Sequence, residues 1–352
     1  MQENNYNNGM YGGYYPPNVP NLQEYRYIPR GIHPEFYEKK KKIKRVALLV
    51  SLSLVFLWLI SEFWIYGYLF GMQFIGFSYN SVVGFLNDPA IGKVISIILS
   101  ILIFTLPFVI VFKAGKYRIS NLVPLNKPDK KLILPLFLCG IAFCSISNII
   151  SGYFQSIFDI FGIGYNVNYE QNPDGFFGFM LSLISVVLVP ALVEEFACRG
   201  IILGSLRKFG DSFSIICSAI LFGLMHGNFE QMPFAFLVGL ILGFITVKSG
   251  SMWIAVAVHA FNNLSSVVLS YILPLMPIQL QNLLYIVLMT VYMISGFIGI
   301  VLLRNKKSDF FNFKKQDSNI KESNKYKWFF TSPFIIVFTV LCILDSLKYF
   351  VF

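Results

Sequence analysis

Residues 181–206 read LSLISVVLVPALVEEFACRGIILGSL. About 20 apolar residues at roughly 1.5 Å each cross a hydrocarbon core of roughly 30 Å, so a run of this length marks a membrane span. Glu194, Glu195 and Arg199 nevertheless fall inside it. An ionisable side chain at the centre of a span costs at least about 2.5 kcal/mol, so each needs a reason to be there. Glu195 and Arg199 stand at i and i+4, the ion-pair spacing on one helix face. Glu194 is rotated by about 100° from its neighbour and cannot share that partner, which leaves it to face a substrate. Pro190, one turn earlier, is expected to kink the helix and open the site.

The rest of the chain agrees with a membrane reading. Only 13% of its 352 residues are charged and 56% are hydrophobic, whereas a soluble domain carries roughly 25% charged residues. Apolar runs lie near 46–70, 94–113, 132–153, 176–206, 212–227, 234–248, 252–272, 283–303 and 329–349. They predict an all-α polytopic bundle of eight to nine spans, the fifth and sixth short. The runs at 94–113, 132–153 and 283–303 read as lipid-facing throughout. The expected organisation is a disordered tail with a basic block over 1–45, N-terminal spans over 46–130, a catalytic helical core over 131–304, a basic loop over 305–328 and a last span over 329–352.

The net charge is +10. The basic residues cluster at the ends of apolar runs, and no basic fold motif accompanies them, so the charge sets orientation and does not bind nucleic acid. Lys39–Arg45, 113–131, 207–208 and 304–327 are basic, while 71–92 and 154–175, with Asp159, Glu170 and Asp174, have acids but no base. The positive-inside rule then puts the N-terminus in the cytoplasm. Cys139, Cys144, Cys198, Cys217 and Cys342 sit in or beside apolar runs and imply no disulfide framework. Glu62, between Trp58 and Trp64, reads as an interfacial anchor, and Asp345 with Lys348 as the end of a span.

Of three histidines, His33 belongs to the tail, while His226 and His259 lie within apolar runs. Taking the ends of the runs as references, Glu194 is about 21 Å, His226 about 22 Å and His259 about 12 Å deep. Three helices can therefore bring a carboxylate and two imidazoles to a similar depth. His259 and Asn263 share a face at i and i+4, with Asn262 at i+3, and Phe222 lies one turn before His226.

These residues resemble a known family. Glu194-Glu195-Phe196-Ala197-Cys198-Arg199 matches EE-x-x-x-R, Phe222–His226 matches F-x-x-x-H, and His259–Asn263 matches H-x-x-x-N. The ordered set resembles the CPBP intramembrane proteases, the type II CAAX prenyl endopeptidases or Abi family, which includes lysostaphin-resistance-protein-like members. The motifs run over about 180–270. The resemblance implies that Glu194 and His226 activate water for attack on a peptide carbonyl, that His259 and Asn263 stabilise the oxyanion, and that Glu195, Arg199 and Phe222 support them. The family is commonly labelled metalloprotease. A zinc set would need Glu194, His226 and His259 together, and H-E-x-x-H is absent. Glutamate-activated water without a cofactor is the favoured route.

The expected function is an endopeptidase that works in membrane lipid on a membrane-associated protein or peptide. The Asn, Lys, Ile and Phe bias hints at a bacterial plasma membrane. The alternatives are a non-catalytic immunity or regulatory protein of the same fold, and a transporter using Glu194 and the histidines as a proton relay. No internal repeat supports the transporter. The orientation is testable: a cysteine at Ser318 should be labelled only after permeabilisation, and labelling from outside intact cells would overturn the topology.

Overall fold

The first helix, α1, Pro34–Phe74, begins eleven residues before the basic block ends. The block was expected in a disordered tail, but Lys, Glu and Arg are good helix formers. Ile43 and Val46 within and beside it are buried, which anchors that turn. The computed structural model describes residues 34–160, 164–165, 173–304, 308–313 and 320–351. The tail to His33, Glu170 and Ser318 lie outside the described residues, as does the side chain of Asp159.

Helix α2, Tyr79–Leu86, occupies part of the expected 71–92 loop, with Ser78 capping its first turn through the Ser81 amide. Helix α3, Pro89–Ala114, follows at once. Asp88 accepts from the Ala90 and Ile91 amides at 2.9 and 3.0 Å, and Pro89 takes the first position, where no N–H is needed. Then come α4, Lys130–Ile160, α5, Gly175–Phe209, and α6, Asp211–Leu224. Next are α7, Gln231–Ser249, α8, Trp253–Ile272, and α9, Ile278–Arg304. The chain closes with α10, Glu322–Phe330, and α11, Pro333–Leu347. Two short antiparallel strands, β1 (Gly164–Tyr165) and β2 (Phe350–Val351), pair with each other.

The protein is an all-α polytopic membrane bundle. Among the described residues, seven helices are long and apolar enough to cross a membrane, and eight if α10 and α11 count as one bent span. The predicted run at 212–227 is the one that falls short. It forms α6, whose 14 residues rise only about 21 Å. Part of the expected basic loop at 305–328 is also helix: α10 meets α11 at a 70° bend, where Pro333 starts the second helix. Trp328 of α10 packs edge-on against Phe36 at 4.8 Å, and the buried Lys325 donates to the Phe209 carbonyl at 2.8 Å and to Glu322 at 2.7 Å.

Helix α4 departs from the lipid-facing expectation. Leu136 and Ser147 are buried, and a side chain at Gly140 would run into Val258 of α8. Against α9 the approach is closer still: a Cβ at Gly299 would lie 2.8 Å from the Pro135 carbonyl. Small residues let helices touch backbone to backbone, the usual basis of helix association in lipid. The five cysteines are all free. Glu62, Asp345 and Lys348 are not separate anchors. Lys348 reaches Asp345 at 2.5 Å and Glu62 at 3.2 Å, and the Trp58 indole donates to Asp345, so this cluster joins α1 to the end of α11.

Candidate active site

The site begins with an irregularity in α5. Its turns widen to π-helical geometry at Leu183–Leu188 and again at Phe196–Ile202, with α-helical Val189–Glu195 between them. Such turns recur at functional sites. Pro190 has no N–H to give to the carbonyl four residues back, which is Val186. That carbonyl instead accepts from Asn263 Nδ2 at 2.9 Å. Asn262 Nδ2 donates to Asn263 Oδ1 at 3.2 Å. Both ends of the Asn263 amide are thus engaged, and one N–H is left to donate.

The second widened segment carries Arg199. Its guanidinium meets Glu195 Oε1 at 2.9 Å, and both side chains are fully buried. A second nitrogen donates to the Gly239 carbonyl of α7 at 3.3 Å, and the carbon at its centre sits 4.4 Å over the Phe222 ring. Gly239 makes this possible by its size, since a Cβ there would lie 2.9 Å from Ala219 Cα. The Ser218 hydroxyl donates to the Cys198 carbonyl at 3.0 Å and pins α6 to the same turn.

His259 of α8 links the two acids. Its Nδ1 lies 3.0 Å from Glu195 Oε1, and its Nε2 lies 3.9 Å from Glu194 Oε2. Glu195 Oε1 already faces Arg199, so it accepts here and Nδ1 carries the proton. This presents Nε2 on the side of Glu194. Glu194 is the more accessible acid, its side chain 16% exposed against none for Glu195.

His226 was expected inside a span and lies instead in the turn after α6. Gly227 adopts φ 63°, a left-handed conformation that ends a helix and suits glycine. His226 Nδ1 lies 2.9 Å from the Phe222 carbonyl, so it too carries the proton, leaving Nε2 open. Phe222 meets the His226 ring edge-on at 5.0 Å and the His259 ring at 6.0 Å, and His226 is within electrostatic range of Glu194. The structure therefore draws Glu194, Glu195, Arg199, Phe222, His226 and His259 into one cluster, with Asn263 one turn along α8 from His259.

Two parts of the cluster were missed in the sequence. The Glu195–His259 bond joins residues 64 apart on different helices, which no local spacing reveals. The Val186 acceptor was readable in principle, from Pro190 four residues on. For zinc, three protein ligands are the usual catalytic set. Among the described residues no group of three His, Cys, Asp or Glu side chains is placed to hold a metal ion. Within the proposed set both Nδ1 atoms are committed to oxygens of the protein, which leaves Nε2 as the open nitrogen of each ring. As placed, Glu194, His226 and His259 do not converge as a three-ligand set.

Residues 176–265 match the family described as Rce1-like, the type II CAAX prenyl endopeptidases. The match covers α5 to α8, the elements that carry every residue of the cluster, and it supports the resemblance drawn from the three motifs. No curated protein and no solved structure matches the chain.

Removing one partner of a buried ion pair strands the other charge, at a cost of about 3–5 kcal/mol. Arg199→Leu should therefore lower the amount of folded protein in the membrane sharply, as read by thermal stability in detergent. Arg199→Lys should recover only part of it, because an ammonium cannot serve Glu195, Gly239 and the Phe222 face together.

Proposed function

We propose that the chain is an intramembrane endopeptidase that hydrolyses a peptide bond of a membrane-associated protein or peptide with water activated by Glu194. The observation that carries this reading is His259 held between the two acids, Nδ1 on Glu195 and Nε2 toward Glu194. A buried, charge-locked carboxylate that fixes an imidazole beside a second, more open carboxylate is an arrangement suited to moving protons.

In this mechanism Glu194 takes a proton from water and the resulting hydroxide adds to the peptide carbonyl. His259 Nε2 accepts the proton from Glu194 and passes it to the departing amine as the C–N bond breaks. His226, its Nδ1–H on the Phe222 carbonyl, orients the water through Nε2. The remaining N–H of Asn263 donates to the oxyanion. This gives His259 a place in proton transfer beyond the oxyanion role that the resemblance implies. Glu195 and Arg199 do not touch the substrate; they set the tautomer and the angle of the ring. A non-catalytic scaffold has no use for two histidines with Nδ1 committed and Nε2 open. We place the basic Lys39–Arg45 end in the cytoplasm, by its charge.

Glu194→Gln removes the base with almost no change of volume. It should abolish cleavage while the protein stays folded, so mass spectrometry of membrane and secreted peptides should show substrates that accumulate uncut. Identical peptide profiles for Glu194→Gln and wild type would end the peptidase reading. The purified enzyme should keep its activity in chelator; loss in chelator with recovery on adding zinc would replace this mechanism with a metal one.

Asn263→Ala should lower kcat by roughly 10²–10³-fold with KM little changed, the loss of one oxyanion donor. Asn262→Ala should give a smaller fall in kcat, since it only steadies the Asn263 amide, and the two losses should not add in the double variant.

A further inference from the structure

At the basic end of the bundle, two cations from distant parts of the chain meet at one ring. Arg45 of α1 has its Cζ 5.9 Å from the centre of the Tyr117 ring, and Lys208 of α5 has its Nζ 5.2 Å from it. Both side chains are exposed. Lys208 Nζ also reaches the Tyr117 hydroxyl at 3.5 Å, and Arg45 Nη2 donates to the Gly115 carbonyl at 2.8 Å. Neither has a carboxylate partner among the described residues, whereas the adjacent Arg207 meets Asp211 at 3.2 Å.

The turn that presents the ring adds a third cation. Helix α3 ends in a Schellman motif: the Tyr117 N–H donates to the Phe112 carbonyl and the Lys116 N–H to the Lys113 carbonyl, both at 2.9 Å. The Tyr117 ring meets Phe112 edge-on at 5.6 Å. Lys116 holds the position that usually falls to glycine, at φ 62°, and among the described residues no other non-glycine residue has a positive φ. Its side chain is exposed beside the Arg45–Gly115 bond.

Orientation in the membrane calls for basic residues at this end of the spans, but it does not call for them to converge. Like charges gathered in one place repel, and an exposed cation–π contact is only weakly favourable. An anion balances them. All the residues lie where apolar stretches stop. Arg45 directly precedes the apolar run of α1, Lys116 and Tyr117 follow the end of α3 at Ala114, and Lys208 is one residue from the end of α5. That is the depth of the lipid headgroups, and the anion held there is a phospholipid phosphate.

We infer that Arg45, Lys116 and Lys208 form a binding site for the phosphate of an anionic phospholipid. The headgroup ties α1 to the turn after α3 and to the end of α5. The chain beyond that turn already touches α5, since Gly204 has no room for a side chain against the Leu122 carbonyl. The site is independent of the peptidase reading, but it fastens the helix that carries Glu194.

The test titrates the full chain in detergent with dioctanoyl phosphatidylglycerol and counts bound lipid on the folded protein by native mass spectrometry. Phosphatidylglycerol should bind about tenfold or more tightly than phosphatidylcholine with the same chains. Lys208→Gln, whose side chain holds no backbone group, should weaken binding about fivefold, and Arg45→Gln/Lys208→Gln about 25-fold, roughly a factor of five for each surface cation. Lys130→Gln/Lys131→Gln removes the same charge from the exposed start of α4 and should leave binding unchanged. Inorganic phosphate at millimolar concentration should not displace the lipid. Equal binding of phosphatidylcholine, or an equal loss in Lys130→Gln/Lys131→Gln, overturns the site, because lipid chains or diffuse charge then suffice. Displacement by inorganic phosphate overturns it too, since the cations then serve a soluble anion. If the double variant at Arg45 and Lys208 does not fold, unchanged binding in Lys208→Gln is enough to overturn the proposal.

Discussion

A full positive charge sits where neither water nor lipid headgroups reach, and much of the site is arranged around it. Arg199 and Glu195 are completely buried and face each other at 2.9 Å. Inside a bundle an ion is tolerable only when its partners are close and oriented. Arg199 therefore gathers groups from three helices: Glu195 one turn back, the Gly239 carbonyl of α7 and the Phe222 ring of α6. The same carboxylate oxygen that neutralises it also fixes His259 of α8. Stability and ring orientation thus rest on one oxygen atom, so the bundle cannot loosen there without disturbing the imidazole.

The second element of the site is made by what the backbone lacks. Pro190 withholds an N–H, Val186 keeps a spare carbonyl, and Asn263 is fixed by it. Gly227 turns the chain out of α6 and places His226 on a bend, where its ring returns to the Phe222 carbonyl. Regular helices engage most backbone groups internally, and these interruptions free further groups to hold side chains from other parts of the bundle. The interruptions let α5, α6 and α8 address one another through polar contacts within an apolar bundle.

The membrane class was readable in the apolar runs, and the Glu195–Arg199 pair in a spacing of four, because both are properties of a single helix. Contacts between helices were not readable. Depth counting showed that Glu194, His226 and His259 were compatible, yet it could not show that His259 would bind Glu195, since that bond depends on how α5 and α8 are rotated. It also took His226 as helical, because a glycine in an apolar run does not announce a positive φ. The helical start of α1 through Lys39–Arg45 and the helix α10 went unread for a related reason. Both are polar segments whose form is set by packing, Trp328 on Phe36 and Lys325 on the Phe209 carbonyl. Hydropathy is silent on such contacts.

The tie between α1 and α11 bears on how the chain assembles. Trp58 and Asp345 are separated by 287 residues, so α1 waits for α11 before this bond can form. Until then Glu62 has no Lys348, and the Trp58 indole has no acceptor from α11. A helix carrying an unmatched acid is a poor guest in hydrocarbon until its partner arrives. Closure of the cluster is therefore a late event in assembly, since it needs both helices in place before the charges can be shared.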